Sequence, residues 1–123
     1  MGNTGTRGLQ RIINAFRYSL AGFKAAWINE EAFRQEIILA IFIFPLGLWL
    51  GETAAQRAIL IGTYFIIPLT ELLNSAIEAA VDRVGQERHE LSGRAKDLGS
   101  AAVFLSICLT IIVWIIIAFE RFF

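Results

Sequence analysis

One cysteine, one histidine and two prolines in 123 residues leave several chemistries without material. Cys108 has no partner for a disulfide or a redox pair within the chain, and in its apolar run it reads as a small inert hydrophobe. Charge is scarce as well: 18% of residues are charged against 56% hydrophobic, and eleven Lys and Arg balance eleven Asp and Glu. With net charge zero and no basic run, a nucleic-acid binder is excluded, because its affinity needs a surplus of cations facing phosphates. No G-x-x-x-x-G-K-[ST], H-R-D, D-F-G or G-x-G-x-x-G occurs, so neither a P-loop nor a protein-kinase phosphate site is available. The opening "MGNTGTRGLQ" lacks a continuous apolar core, which predicts no removable signal peptide. Gly2 and Thr6 formally fit a myristoylation pattern, but a chain that spans the membrane has no need of that anchor.

What the chain has in abundance is hydrocarbon. A mean hydropathy of +0.60 is too high for an ordinary soluble fold of this length and points to the bilayer as solvent. The stretch 101–119, "AAVFLSICLTIIVWIIIAF", is free of charge and close to the ~20 residues that cross hydrocarbon as a helix. The stretches 37–50 and 58–73 are shorter, and each becomes long enough if its helix continues into flanking polar residues. Ahead of them, Leu9, Ile12, Ile13, Phe16, Leu20, Phe23 and Trp27 recur at helical spacing between Arg11, Arg17 and Lys24, the pattern of a helix lying on the membrane surface. The expected architecture is therefore all-α and integral to the membrane. It is a single domain over 1–123, with a surface helix at 9–28 and spans at 30–50, 56–82 and 94–120. Asn29 is expected to cap the first span, with Glu30 and Glu31 in its first turn.

Arg7, Arg11, Arg17, Lys24, Arg34, Arg83, Arg88, Arg94 and Lys96 fall on one side of these spans, and only Arg57 and Arg121 on the other. The positive-inside rule then puts the N-terminus and the loop between the second and third spans in the cytoplasm, and the C-terminus outside.

The second span does not stay apolar. Glu71, Asn74, Glu78 and Asp82 follow one another at steps of three and four, which return side chains to nearly one line on a helix. An acidic residue inside a span costs at least ~2.5 kcal/mol even on lenient scales, so Glu71 is a functional candidate by default. The bland alternative is a protonated Glu71 hydrogen-bonding a neighbouring helix with Asn74 as interhelical glue. The line of further carboxylates on the same face weakens it. Asp82 alone reads better as a solvated interfacial charge. Glu71 and Glu78 lie about 10 Å apart along the axis, one deep and one near the headgroups. Glu30 and Glu78 suit oxygen-loving Mg²⁺, Lys96 and several arginines suit phosphates, and Glu71 is a deeper carboxylate, a set that could transfer a phosphoryl group to a lipid. Lys96 and Ser100, one turn apart, are expected to face the same cleft.

These residues carry a resemblance. "RIINAFRYS" (11–19), "AWINEEAFRQE" (26–36), Trp49, Arg57 and the long block "ELLNSAIEAAVDRVGQERHELSGRAKDLGSAAV" (71–103) resemble the membrane-integral bacterial diacylglycerol kinases, over nearly the whole chain. The long block is specific and the apolar runs are not; Pro68 and Arg88 depart from the family pattern.

The resemblance implies a three-span protomer with a surface helix, assembled as a homotrimer in the bacterial inner membrane, with active sites shared between protomers. It implies phosphorylation of diacylglycerol to phosphatidic acid by MgATP. It implies Glu71 as general base, supported by Asn74, and Glu30 and Glu78 as metal and nucleotide carboxylates. Lys96 and Asp97 are implied on the phosphate side, with Arg11, Tyr18, Glu87, Arg88 and His89 bordering the nucleotide. Implied lipid contacts are Ala15, Ser19, Leu20, Phe23, Lys24, Ala25, Ala26, Ala32, Phe33, Arg34, Gln35, Glu36, Trp49, Arg57, Glu71, Ser100, Trp114 and Phe119. Read without the resemblance, His89 is a hydrogen-bonding interfacial residue, and Trp27, Trp49 and Trp114 fit aromatic belts.

Two rivals remain. An undecaprenol kinase keeps the chemistry and changes the lipid. A small proton-coupled exporter accounts for Glu71 but not for Glu30, Glu78 and Lys96 at one interface. A purely structural bundle ranks below both.

Overall fold

The computed structural model describes residues 7–85 and 89–123. They form four helices and, among the described residues, no strand: α1 (Leu9–Asn29), α2 (Glu31–Leu50), α3 (Ala54–Val84) and α4 (Glu90–Phe122). The last three are long and apolar enough to cross a membrane. At 1.5 Å per residue, the 31 residues of α3 extend about 46 Å, well beyond a ~30 Å hydrocarbon core, so its ends belong to the interfaces. Pro68 sits inside α3 without ending it.

The chain breaks between α1 and α2 at Glu30, whose backbone is extended. Here the structure corrects the capping expectation. Asn29 does not cap α2; its Nδ2 donates to the Ala25 carbonyl and closes α1, and Glu30 stands at the N-cap of α2 with no side-chain cap bond. Arg34 secures the corner from the far side, donating from Nη1 to the carbonyl oxygens of Trp27 and Ile28 at 2.7 and 3.1 Å. The apolar stripe of α1 stays uncovered by the rest of the chain, with Leu9, Ile12 and Phe16 about two-thirds exposed, as a helix resting on lipid requires.

At the opposite end the bundle is tightly closed. Thr53 caps α3 by accepting from the Gln56 amide, and Gln56 Oε1 accepts in return from the Glu52 amide. Gly51 is needed in this turn because a Cβ there would stand 2.9 Å from the Arg57 nitrogen and 3.1 Å from its Cα. Arg121 on α4 donates to the Trp49 and Leu50 carbonyls at the end of α2, and its guanidinium lies 5.1 Å from the Trp49 ring centre. Leu60, fully buried, packs with Leu50 and Ile117 below this clasp.

Between the clasp and the open end runs a polar ladder joining α3 and α4. Trp114 Nε1 donates to the Leu60 carbonyl, Thr110 Oγ1 to the Thr63 carbonyl, and the Thr70 and Ser106 hydroxyls bond at 3.1 Å. In lipid, where burial of apolar area does not itself hold helices together, such bonds and close packing set the register. Trp114 is therefore an interhelical strut rather than part of an aromatic belt. Trp49, more than half exposed beside Arg121, keeps the position a belt residue takes.

Candidate active site

The buried face of α3 is Leu60, Tyr64, Ile67, Pro68 and Glu71. From Glu71, steps of three, four and four continue that same line to Asn74, Glu78 and Asp82. The polar stripe is thus the packing seam itself, carried on in carboxylates once the covering helices open. Exposure grows along it. Glu71 is 8% exposed, Glu78 is half-buried, and the Asp82 side chain is 60% exposed. One helix face passes from a closed core to water over the length that separates Glu71 from Asp82.

Glu71 is surrounded by its own kind. The carboxyls of Glu36 on α2, Glu30 and Glu78 are near enough to act on it electrostatically. Glu36 is itself held in place, since Tyr64 of α3 donates its hydroxyl to the Glu36 carbonyl oxygen at 2.5 Å. Its Oε1 is buried without a hydrogen-bond partner among the described residues.

Two clefts open at this end. The first, about 690 Å³, lies between α1 and α3; Ser19, Phe23, Ala25, Ala26, Glu30, Glu78 and Asp82 are in its wall, so it brings together the two carboxylates expected to hold a metal. The second, about 680 Å³, lies between the end of α3 and the start of α4. Asp82, His89, Arg94, Lys96 and Asp97 line it. Both fall in the size range of small-molecule sites. Asp82 is the residue common to the two walls, and it accepts from Lys96 Nζ at 2.7 Å. The reading of Asp82 as an ordinary solvated charge missed this contact.

Other expected site residues are distributed as follows. His89 caps α4, its Nδ1 accepting from the Leu91 amide, and lines the second cleft. Ser100, four residues on from Lys96, is exposed on α4 and is not among the residues lining either cleft. Arg11 and Tyr18 project from α1 outside both clefts, as do Ala15, Leu20 and Lys24. Phe33 is buried, Ala32 is exposed, and Gln35 bonds Glu31 within α2. Trp49, Arg57 and Phe119 belong to the clasp end; Arg57 is about 31 Å along α3 from Glu78, too far to meet the carboxylates within one chain. Glu87 and Arg88 lie outside the described residues. Asn74 faces α4, where it abuts Gly99.

The donor set fits a divalent cation carried in with a nucleotide. Among the described residues no cluster of three His, Cys, Asp or Glu forms a cage. Mg²⁺ bound with phosphates takes only one or two protein carboxylates, and Glu30 and Glu78 share a wall.

Comparison with known proteins bears on what such a site does. The family described as prokaryotic diacylglycerol kinase matches residues 17–118. A Haemophilus influenzae protein named diacylglycerol kinase is 52% identical over 109 residues, covering 89% of this chain and 92% of its own. Its Escherichia coli K12 namesake is 50% identical over 117 residues, 95% of this chain and 96% of its own. One from Helicobacter pylori is 41% identical over 108 residues, 88% and 84% of the two chains.

Proposed function

The chain belongs to the prokaryotic diacylglycerol kinase family, and from that premise we propose that it transfers the γ-phosphoryl group of MgATP to the free hydroxyl of 1,2-diacylglycerol, giving phosphatidic acid. The observation that carries the reading is the α3 seam, which runs from the buried Glu71 to the hydrated Asp82 where the two clefts meet. A lipid hydroxyl and a nucleotide phosphate can approach one another only at such a boundary.

In this reading Glu71 accepts the hydroxyl proton as the lipid oxygen bonds to the γ-phosphorus and the bond to the β-phosphate oxygen breaks, releasing ADP. A primary alcohol has too high a pKa to ionise beforehand, so a carboxylate within reach of the proton is what the step requires. Glu30 and Glu78 are the carboxylates that would hold Mg²⁺, which would supply charge neutralisation to the phosphates. Lys96 and Asp97 serve the phosphate side, with Lys96 exchanging its Asp82 partner for phosphate. Arg11, Tyr18, Glu87, Arg88 and His89 border the nucleotide, and Asn74 supports Glu71 from the next turn. Ser19, Phe23, Ala25 and Ala26, in the wall of the first cleft, contact the lipid along with the other α1 and α2 positions and Arg57, Ser100, Trp114 and Phe119.

Nine of eleven basic residues on one side support a cytoplasmic N-terminus and α3–α4 loop and an external C-terminus, in the bacterial inner membrane. Exposed apolar side chains along α4, such as Phe104, Leu105, Ile115 and Ile116, leave surface for lipid and for the neighbours of a homotrimer.

The test is Mg²⁺-dependent transfer of labelled γ-phosphate from ATP in mixed micelles, with diacylglycerol and undecaprenol offered side by side. Label in phosphatidic acid is the expected result. Preference for undecaprenol overturns the lipid assignment and keeps the chemistry, and a folded protein that labels neither lipid overturns the kinase reading in favour of an exporter.

A further inference from the structure

Gly99 lies on the buried stripe of α4, directly against the Asn74 side chain of α3. A Cβ at Gly99 would overlap Asn74 Oδ1 and stand 3.2 Å from its Cγ, yet would remain 3.7 Å from the Asn74 Cα. What forbids a side chain there is thus the movable end of one amide and not the opposing backbone. The glycines inside helices whose Cβ meets nothing, Gly22, Gly62 and Gly93, impose no such condition. A helix interior prefers Ala to Gly by about 1 kcal/mol, so a close approach is the physical reason for Gly at this point.

The Asn74 oxygen is buried and has no hydrogen-bond partner among the described residues. Its orientation is therefore set by packing: the α-hydrogens of Gly99 offer the oxygen a flat surface and a weak C–H···O contact, of the kind that recurs between close helices. With the oxygen turned onto Gly99, the N–H₂ end of the amide is left to donate. Asn74 stands one turn after Glu71 and one turn before Glu78, so its amide lies between the proton acceptor and a metal carboxylate along the same helix face.

We propose that Gly99 is a positioning residue for phosphoryl transfer: its bare α-carbon is the seat that holds the Asn74 amide between Glu71 and Glu78. This rests on the kinase reading above and adds to it a residue that touches no substrate. Adding one methyl group displaces the amide without prying α3 from α4, which makes Gly99→Ala a selective perturbation.

The experiment is a double-mutant cycle of Gly99→Ala and Asn74→Ala in full-length protein, measuring kcat and KM for MgATP and diacylglycerol, with unfolding by denaturing detergent read in parallel. Misplacing a catalytic contact by about 1 Å costs up to roughly 100-fold, so Gly99→Ala is expected to lower kcat by about 10- to 100-fold, with KM for MgATP and the unfolding midpoint unchanged. In the Asn74→Ala background, where no amide remains to displace, adding Gly99→Ala is expected to cost nothing further. An equal loss in both backgrounds, or a wild-type kcat in Gly99→Ala, overturns the inference while leaving the kinase reading intact. A Gly99→Ala protein that does not fold also overturns it, because the clash would then be with the helix. A wild-type protein that transfers no phosphate overturns the kinase reading and this inference with it.

Discussion

Replacing Glu71 by Gln separates two quantities that most active-site substitutions move together. The side chain is 8% exposed, and about 10 Å of helix axis separates it from Glu78 at the interface. Gln keeps its length and shape but cannot accept the hydroxyl proton. Loss of a general base costs about 10²- to 10⁴-fold in rate, so kcat should fall by that factor with KM for MgATP unchanged, since the nucleotide contacts lie a turn or more away. Stability should move the other way. An acidic side chain at a span's centre costs about 2.5–3.5 kcal/mol on insertion scales, and less nearer the interface, so a neutral amide at this depth should return about 1–2 kcal/mol. Label transfer in mixed micelles reads the first quantity, and the midpoint of helix loss in a denaturing-detergent titration reads the second. A Glu71→Gln protein that keeps kcat within a few fold of wild type would remove Glu71 as the base. One that loses activity only in step with a lowered unfolding midpoint would refute the argument that burial of this carboxyl is a cost borne for function.

Three further outcomes follow from the packing and the charges. Leu60→Ala should destabilise by about 1–2 kcal/mol, below the ~2–5 kcal/mol of water-soluble cores, because separated helices expose this side chain to lipid and only the cavity term remains; a cost near 5 kcal/mol in the same titration would show that it meets water on unfolding. Thr110→Val removes the bond to the Thr63 carbonyl and should cost about 0.6 kcal/mol, at most ~1.7, with kcat unchanged; a large loss of activity at full stability would place the ladder in the mechanism. Lys96→Gln should raise KM for MgATP and flatten its dependence on ionic strength, checked by kinetics at two salt concentrations; an unchanged KM would leave Lys96 as no more than the partner of Asp82.

Much of this protein is legible in residue order because its solvent is lipid. An apolar run of span length must be a helix, since backbone groups in hydrocarbon have no other partners, and the asymmetry of basic residues orients it. Angular position along one helix follows from 100° per residue, so Glu71, Asn74, Glu78 and Asp82 could be placed on one line, and Glu71 marked as costly, before any coordinates. Ser106, Thr110 and Trp114, spaced four residues apart, carried a signal of the same kind for the α3–α4 ladder. Contacts between helices are another matter. They depend on the relative register and rotation of elements far apart in sequence, set by the clasp at Arg121, the ladder and the close approach at Gly99. That is why Asn29 turned back to close α1, why Trp114 became a strut, why Ser100 fell outside the cleft, and why Asp82 emerged as the wall between two clefts. Sequence by itself determined a three-span chain with one polar helix face. Tertiary structure alone decided what each residue of that face meets, because helical periodicity places a side chain on its own helix and only packing between helices gives it a partner.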